Sequence, residues 1–354
     1  MFLTALATVL LTGVSISVAS PLRLVYRPEF TKLGVHTEET CRGLIDGVKT
    51  LELDNGITKD GVVVVWHDFD IPALKCRDTA PAFKYDPDFP YVGKQIANLT
   101  LAQIKTLDCG SQRLLDFPMQ LIHPGTKIST LQEVFDFVAC VDHKRQIIFN
   151  VESKVDAVTP NNTRSAEDFV ALQHAVFKKS GYSSKSITYQ SFDWRTLKGM
   201  KQLDPKVPTV ALVSSGTVGD INGASPWFAG LNLRDFPGET VDVKIANAAK
   251  AVKADILSPA AVHGSSPVPD PTQPGYIPFT TKAMVDRSHK LGMPVIPWTV
   301  DRLSIAGQLL EWGVDGIITD YPTQMRRFVQ QKGLGVTPTH SEDKVLKCLA
   351  KHTR

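Results

Sequence analysis

Glu52, Asp54 and His67 are the residues whose types and spacing invite chemistry; they lie near the two ends of one stretch, Thr50 to Asp68, TLELDNGITKDGVVVVWHD. Carboxylates two residues apart on a strand point to one face. Asp60-Gly61 between two short apolar runs is a strong two-residue hairpin signal, because a type I′ turn needs φ > 0 twice. That loop pairs Lys59 with Val62 and sets Asp54 directly opposite His67, with Cβ atoms about 4.5–5.5 Å apart. A lone E-x-D is ordinarily solvated surface. Here the acids follow the strand-like run Val48 to Leu51, and a four-valine strand leads to His67. Carboxylates clustered at the ends of buried strands need a cation to offset their repulsion.

The rest of the chain supplies the elements that must position this group. From Gln146 onward strands and helices alternate: strands at Ile147–Glu152, Ile187–Gln190, Thr209–Val213, Ala254–Ser258, Pro294–Thr299 and Gly316–Thr319, and helices near Ala166–Ser180, Trp194–Leu203, Thr281–Leu291 and Arg302–Trp312. This alternation, without a Gly-rich dinucleotide fingerprint, favours a closed parallel barrel of the TIM-type (β/α)8 class over a doubly wound sheet. Arg23 to Arg27 reads as the first strand and Arg42 to Val48 as a short first helix; with the hairpin, one strand is left outside the regular order. Glu52, Asp54, His67, Glu152, Gln190 and Trp298 then fall at carboxyl ends of strands or on the hairpin, where barrel enzymes keep their sites. Glu52, Asp54 and Glu152, with no cysteine or paired histidine, call for one hard divalent cation, Mg or Ca. Lys154 shares a face with Glu152 and is placed either to hold an oxygen of a bound ligand or to reach solvent. Trp298 lines the pocket or fills the barrel core, and Asp320 suits a cap or structural acceptor better than a catalyst.

The run LELDNGITKDGVVVVWHD resembles the core signature of the glycerophosphodiester phosphodiesterase family, a TIM-barrel group. Asn150 to Lys154 (NVESK) is similar to that family's strand with a third metal carboxylate and a lysine, and Gln190 to Trp194 (QSFDW) to its next strand end. PWTVD at 297–301 and GVDGIITDYP at 313–322 match its closing strands, so the resemblance spans about residues 44–330. It implies cleavage of a glycerophosphodiester into an alcohol and glycerol phosphate, with two imidazoles sharing acid–base duty. It also implies a His-Arg pair at the end of the first strand, supplying a catalytic imidazole and a phosphate-binding guanidinium. Tyr26 and Arg27 occupy those positions, so Arg27 is retained and the first histidine is replaced. A phenol with a pKa of about 10 is a poor proton acceptor at neutral pH. Thr37 to Thr40 is the nearest counterpart of the family's Pro-Glu-Asn-Thr motif, and His36 lies in a predicted loop. Either one catalytic group is lost or this amino-terminal stretch is wrongly assembled. Loss of one general acid–base group costs on the order of 10²–10⁴-fold in rate. Three readings follow: a metal-dependent phosphodiesterase, a pseudoenzyme that binds a phosphodiester without turnover, and a phospholipase-type barrel acting on lipids. The third ranks last, because the loops show no evident exposed aromatic or basic surface.

A length of 354 residues with 43% apolar side chains is ample for one large barrel, and a formal charge of +3 without a basic block argues against nucleic acid as a partner. The expected partner is a small-molecule glycerophosphodiester, with no stable membrane partner. Residues 1–22 carry no charged side chain, and Ser17-Val18-Ala19 provides the small residues of a cleavage site. The expectation is a signal peptide over 1–19 and a secreted, cell-wall or extracellular location; an uncleaved anchor is the alternative. Sequons at Asn98-Leu99-Thr100 and Asn161-Asn162-Thr163 fit secretion. Five cysteines without C-x-x-C spacing predict one or two disulfides, Cys76–Cys109 among them. The barrel is expected over 20–331. Within it, 69–131 is a loop-rich insertion or lid, with a helical period from Leu99 to Leu107 capped by Thr100. Thr130 and Glu133 form a capping box for a helix to Val141. Residues 332–354 are a tail, loose or pinned by Cys348.

Overall fold

The strands of this chain are buried on both faces, as parallel strands covered by helices must be; β5, β6 and β8 below are buried along their whole length. The structure is a computed structural model and describes residues 23–26, 36–115, 117, 122–219 and 224–352. The elements in order are β1 (Arg23–Tyr26), α1 (His36–Asp46), β2 (Thr50–Ile57), β3 (Val63–Val65), α2 (Leu101–Ile104), α3 (Leu131–Val141), β4 (Ile148–Ser153), α4 (Ala166–Lys179), β5 (Ile187–Ser191) and α5 (Trp194–Leu203). They continue with β6 (Thr209–Val213), α6 (Ser215–Val218), α7 (Val241–Ala251), β7 (Ile256–Pro259), α8 (Lys282–Lys290), α9 (Leu303–Glu311), β8 (Gly316–Thr319), α10 (Pro322–Gln331) and α11 (Glu342–His352).

Seven parallel strands run in the order β7-β6-β5-β4-β2-β1-β8. Residues 294–300, expected as a strand, make only two bridges, yet they fill the remaining place. Pro294 O accepts from Leu257 N and Trp298 N donates to Pro259 O on the β7 side, while Val295 O accepts from Asp315 N and Val300 N donates to Ile318 O on the β8 side. Hydrogen bonds on both flanks close the ring at eight staves, as the (β/α)8 reading requires. The supernumerary strand is β3, which pairs only with β2, antiparallel.

In β2 and from β4 onward, residues of even number point into the ring. Val210, Ile256, Ile296 and Ile318 form its apolar filling. Residues of odd number, such as Leu51, Leu53, Phe149, Val151 and Tyr189, face the helices in the large outer core. Helix starts follow the sequence. Thr130 caps α3 in a reciprocal box with Glu133, Ser165 caps α4 and Asp193 caps α5. The first helix is longer than expected, His36–Asp46. The period from Leu99 to Leu107 yields a single helical turn, α2, although Thr100 caps it as predicted.

Between β3 and α3 the chain builds a small second core. Trp66, Ile71, Tyr91, Ile96, Leu99, Ile104, Leu107 and Ile128 pack around the Cys76–Cys109 disulfide. Tyr91 donates to Asp86 at 2.6 Å, and Gln103 donates to the same carboxylate at 3.0 Å, so these three buried polar side chains satisfy one another. This core touches the barrel at Gly56, where an added Cβ would sit 3.1 Å from Ile96. At the other end of the chain α11 is pinned. Cys348 is bonded to Cys140 of α3, Val345 is fully buried, and Lys344 donates to Val141 O at 2.5 Å. The fifth cysteine, Cys41, is buried in the outer core and outside both disulfides.

Candidate active site

Parallel register brings the acidic side chains together. Asp54 pairs with Glu152 across β2 and β4, and Glu152 with Gln190 across β4 and β5. Glu52 and Asp54 are successive inward residues of β2. Glu52, Asp54 and Glu152 are each at most 1% exposed, and a ligand oxygen from each lies within 4.8 Å of the others. Two carboxylates that close repel by about 3–4 kcal/mol at an effective dielectric near 20. One cation is already present: Lys154 Nζ is 3.3 Å from Glu152 and 3.7 Å from Asp54. Among the described residues, three carboxylates face this one ammonium. The donor set is all oxygen, the kind that holds a hard divalent ion.

A hydrogen-bond chain orients this cluster. Thr188 donates to Asn150 at 2.7 Å, Asn150 donates to Gln190 at 2.7 Å, and Gln190 donates to Glu52. Gln190 therefore acts on a carboxylate. Trp298 forms the apolar wall: its Nε1 donates to Ser258 O at 2.8 Å, and its ring meets Phe192 edge-on at 5.4 Å.

His67 reaches the site by a different route from the one its hairpin predicts. The loop has three residues, not two: Thr58 N bonds Val62 O, Gly61 N bonds Thr58 O, and Gly61 takes φ +81°. The register moves by one, so Asn55 pairs with Val65 and Asp54 O accepts from Trp66 N. Asp54 is thus opposite Trp66, not His67, and Trp66 is buried in the small second core. The chain bends over 67–69, and His67 lines a cavity of about 310 Å³ with Asp68, Phe69, Asp70, Gln95, Lys154 and Asn162. A second cavity of about 320 Å³ shares Phe69 and Lys154 and is walled by Glu152, Val155, Phe192 and Trp227. Lys154 stands at the junction of the two, against the carboxylates.

His67 Nδ1 lies 3.1 Å from Asp68 Oδ1, and the buried Lys75 ammonium bonds Asp68 Oδ2. Burial acts to raise the Asp68 carboxyl, but the hydrogen bond with His67 and the Lys75 charge outweigh it and hold the group down at about 2. Neither Asp68 nor Lys75 was singled out from sequence; adjacency to His67 was the available signal for Asp68, and Lys75 had none. Phe192 and Trp227 were likewise missed as cavity walls. Arg27 lies outside the described residues, and Tyr26 is described only as backbone, paired with Leu51 and Thr319. The expectation of loops without exposed aromatics is not met: in the insertion Phe83 is 57% and Tyr85 85% exposed.

The family model described as the glycerophosphoryl diester phosphodiesterase family matches residues 42–324. The glycerophosphodiester phosphodiesterase of Bacillus subtilis (strain 168) is 26% identical over 301 residues, covering 84% of this chain and 80% of its own. A solved structure from Silicibacter pomeroyi superposes with a TM-score of 0.68 at 23% identity, over 90% of this chain and 96% of that one. An Oleispira antarctica phosphodiesterase, solved in complex with the product sn-glycerol-3-phosphate, gives 0.59 at 16% identity over 88% and 97%. With three carboxylates gathered at the carboxyl end of a closed parallel barrel, this chain belongs to the glycerophosphoryl diester phosphodiesterase family.

Proposed function

We propose that this chain is a metal-dependent phosphodiesterase that hydrolyses glycerophosphodiesters to an alcohol and glycerol phosphate. The observation that carries the reading is the buried triad Glu52, Asp54 and Glu152, with ligand atoms within 4.8 Å and Lys154 against it. These three would hold one divalent ion, Mg or Ca, which when bound polarises a phosphoryl oxygen and absorbs developing negative charge. Lys154 is placed to hold a second phosphoryl oxygen, Gln190 fixes the Glu52 carboxylate, and Trp298 walls the pocket. His67 is assigned the proton: as water oxygen bonds to phosphorus and releases a proton to solvent, the old P–O bond breaks, its electron pair stays on the alcohol oxygen, and that oxygen takes a proton from the ring. Arg27 is assigned a phosphate contact by resemblance. Secretion is part of the proposal, supported by the apolar start of the chain and by two disulfides, which persist in oxidising compartments.

Release of choline from glycerophosphocholine, lost with a chelator and restored by Mg or Ca, is the expected result. Metal binding without turnover would instead identify a pseudoenzyme, the reading that Tyr26 favours. Tyr26→His then separates degrees of impairment, with a gain on the order of 10²-fold expected if the missing imidazole limits the rate. Exposed Phe83 and Tyr85 favour a second reading, a lipid-borne substrate. Faster turnover of lysophosphatidylcholine micelles than of glycerophosphocholine would select it. Among the described residues no helix is long and apolar enough to cross a membrane.

A further inference from the structure

We propose that Asp68 and Lys75 are positioning residues for His67, and that the Cys76–Cys109 disulfide holds this relay in place from within the insertion. The inference rests on the reading of His67 as proton donor to the leaving alcohol. Neighbouring side chains on an extended strand point to opposite faces; the bend at 67–69 is what lets His67 and Asp68 meet at 3.1 Å. A carboxylate only accepts, so Nδ1 carries the hydrogen of that bond and Nε2 is the ring nitrogen that Asp68 does not touch. An adjacent carboxylate that fixes tautomer and ring orientation plays this part for the histidine of a Ser-His-Asp triad.

Lys75 fixes the carboxylate in turn. Its ammonium is buried, 5.7 Å above the Trp66 ring, and bonds the second oxygen of Asp68. A buried ammonium is costly without such a partner, so the pair specifies one arrangement. The backbone of Lys75 is held as well: its N–H and that of Cys76 both donate to Pro72 O, at 2.9 and 3.1 Å, and Cys76 is bonded to Cys109. A path of direct bonds thus runs from the disulfide through Lys75 and Asp68 to the ring of His67.

The test compares two substrates in steady state: glycerophosphocholine, whose alkoxide must be protonated, and glycerol-3-phosphate p-nitrophenyl ester, whose phenolate leaves without a proton. Wild type, His67→Ala, Asp68→Asn, Asp68→Ser, Lys75→Met and the Cys76→Ser/Cys109→Ser pair are measured, each checked for folding by circular dichroism. Asp68→Asn is expected to lower kcat for glycerophosphocholine on the order of 10²-fold, with KM unchanged and the p-nitrophenyl ester slowed less than about threefold. Lys75→Met and the cysteine pair should repeat that selectivity with a loss of about tenfold. The double variant His67→Ala/Asp68→Asn should be no slower than His67→Ala alone. Equal losses on both substrates in the Asp68 variants, or none, would overturn the positioning role while leaving His67 in place; equal losses in the cysteine pair would remove the disulfide from the relay. If His67→Ala spares glycerophosphocholine turnover, the assignment of His67 itself is wrong and this inference goes with it.

Discussion

The carboxylate cluster and the His67 bend, to which the proposed function assigns the metal and the proton, are built by opposite means. Glu52, Asp54 and Glu152 stand on neighbouring barrel strands, and the register of β2 against β4 puts them together regardless of any loop. His67 stands just beyond β3 on a bend, steadied by Asp68, Lys75 and a disulfide-clamped insertion with its own small core. A ladder of backbone bonds fixes the first. Side-chain contacts fix the other. The lesson is that damage to the two regions should read out differently, in metal affinity for the first and in proton transfer for the second.

The largest effect should come from the ladder side. Asp54→Asn or Glu152→Gln removes one of the three buried carboxylates proposed to hold the ion, and activity should fall on the order of 10⁴-fold, since such an ion would supply several kcal/mol to the transition state. In wild type, a divalent ion at 100 times its Kd should add about 2.7 kcal/mol of stability, a rise of a few degrees in Tm that these variants lose in differential scanning fluorimetry. Survival of that thermal shift in both variants would remove the triad as the ion's site.

The two disulfides sharpen the contrast next. Cys140–Cys348 closes a separation of 208 residues and ties α11 to α3. Cys76–Cys109 closes 33 residues around the insertion. Chain entropy assigns about 5 kcal/mol to the first and about 3–4 kcal/mol to the second as upper figures. The Cys140→Ser/Cys348→Ser pair should lower the midpoint of urea unfolding and leave kcat near wild type at 20 °C. The Cys76→Ser/Cys109→Ser pair should lower kcat at temperatures where the barrel remains folded.

A smaller effect concerns pH. Asp68 is held at about 2 against an unfolded value near 3.9, so its contribution is complete above about pH 4 and is lost as pH falls from there toward 2. The Tm difference between wild type and Asp68→Asn should therefore be constant from pH 7 to about 5 and shrink below 4. The smallest change expected is that of Gly56→Ala at the contact between barrel and insertion. Its new Cβ would press on Ile96 from 3.1 Å, costing about 1 kcal/mol or less because that side chain can give way, with metal binding unchanged by calorimetry.

Much of the ladder side was legible in sequence, because the period-2 alternation in LELD and NVES carries its own geometry. Inward Glu52, Asp54 and Glu152 follow from even spacing on buried strands, and the alternation after Gln146 gives the barrel. The hairpin was misread by one residue. Thr58 Oγ1 accepts from Val62 N at 2.9 Å and donates to Asp60 at 2.5 Å, which stabilises a three-residue loop that an Asp-Gly pair alone does not announce. That single residue puts Trp66 where His67 was expected, and His67 reaches the cleft only because the chain bends after β3. The partners of His67 depend on contacts within an irregular segment, where no periodicity speaks. Residues 294–300 depart from a regular strand for a related reason: Pro294 and Pro297 lack N–H donors, although the stave still bonds to both neighbours and closes the ring.

One strand belongs to both regions. β2 runs eight residues, of which Thr50 to Asp54 carry the two acids inside the ring, while Asn55 to Ile57 pair with β3 and meet Ile96 at Gly56. A lid transplanted from another barrel of this kind would therefore have to be spliced after Asp68 and before Thr130, leaving the outer half of β2 and all of β3 with the host. A cut inside Asn55–Val65 would carry part of the acid-bearing strand away with the graft and slacken both halves of the chemistry at once.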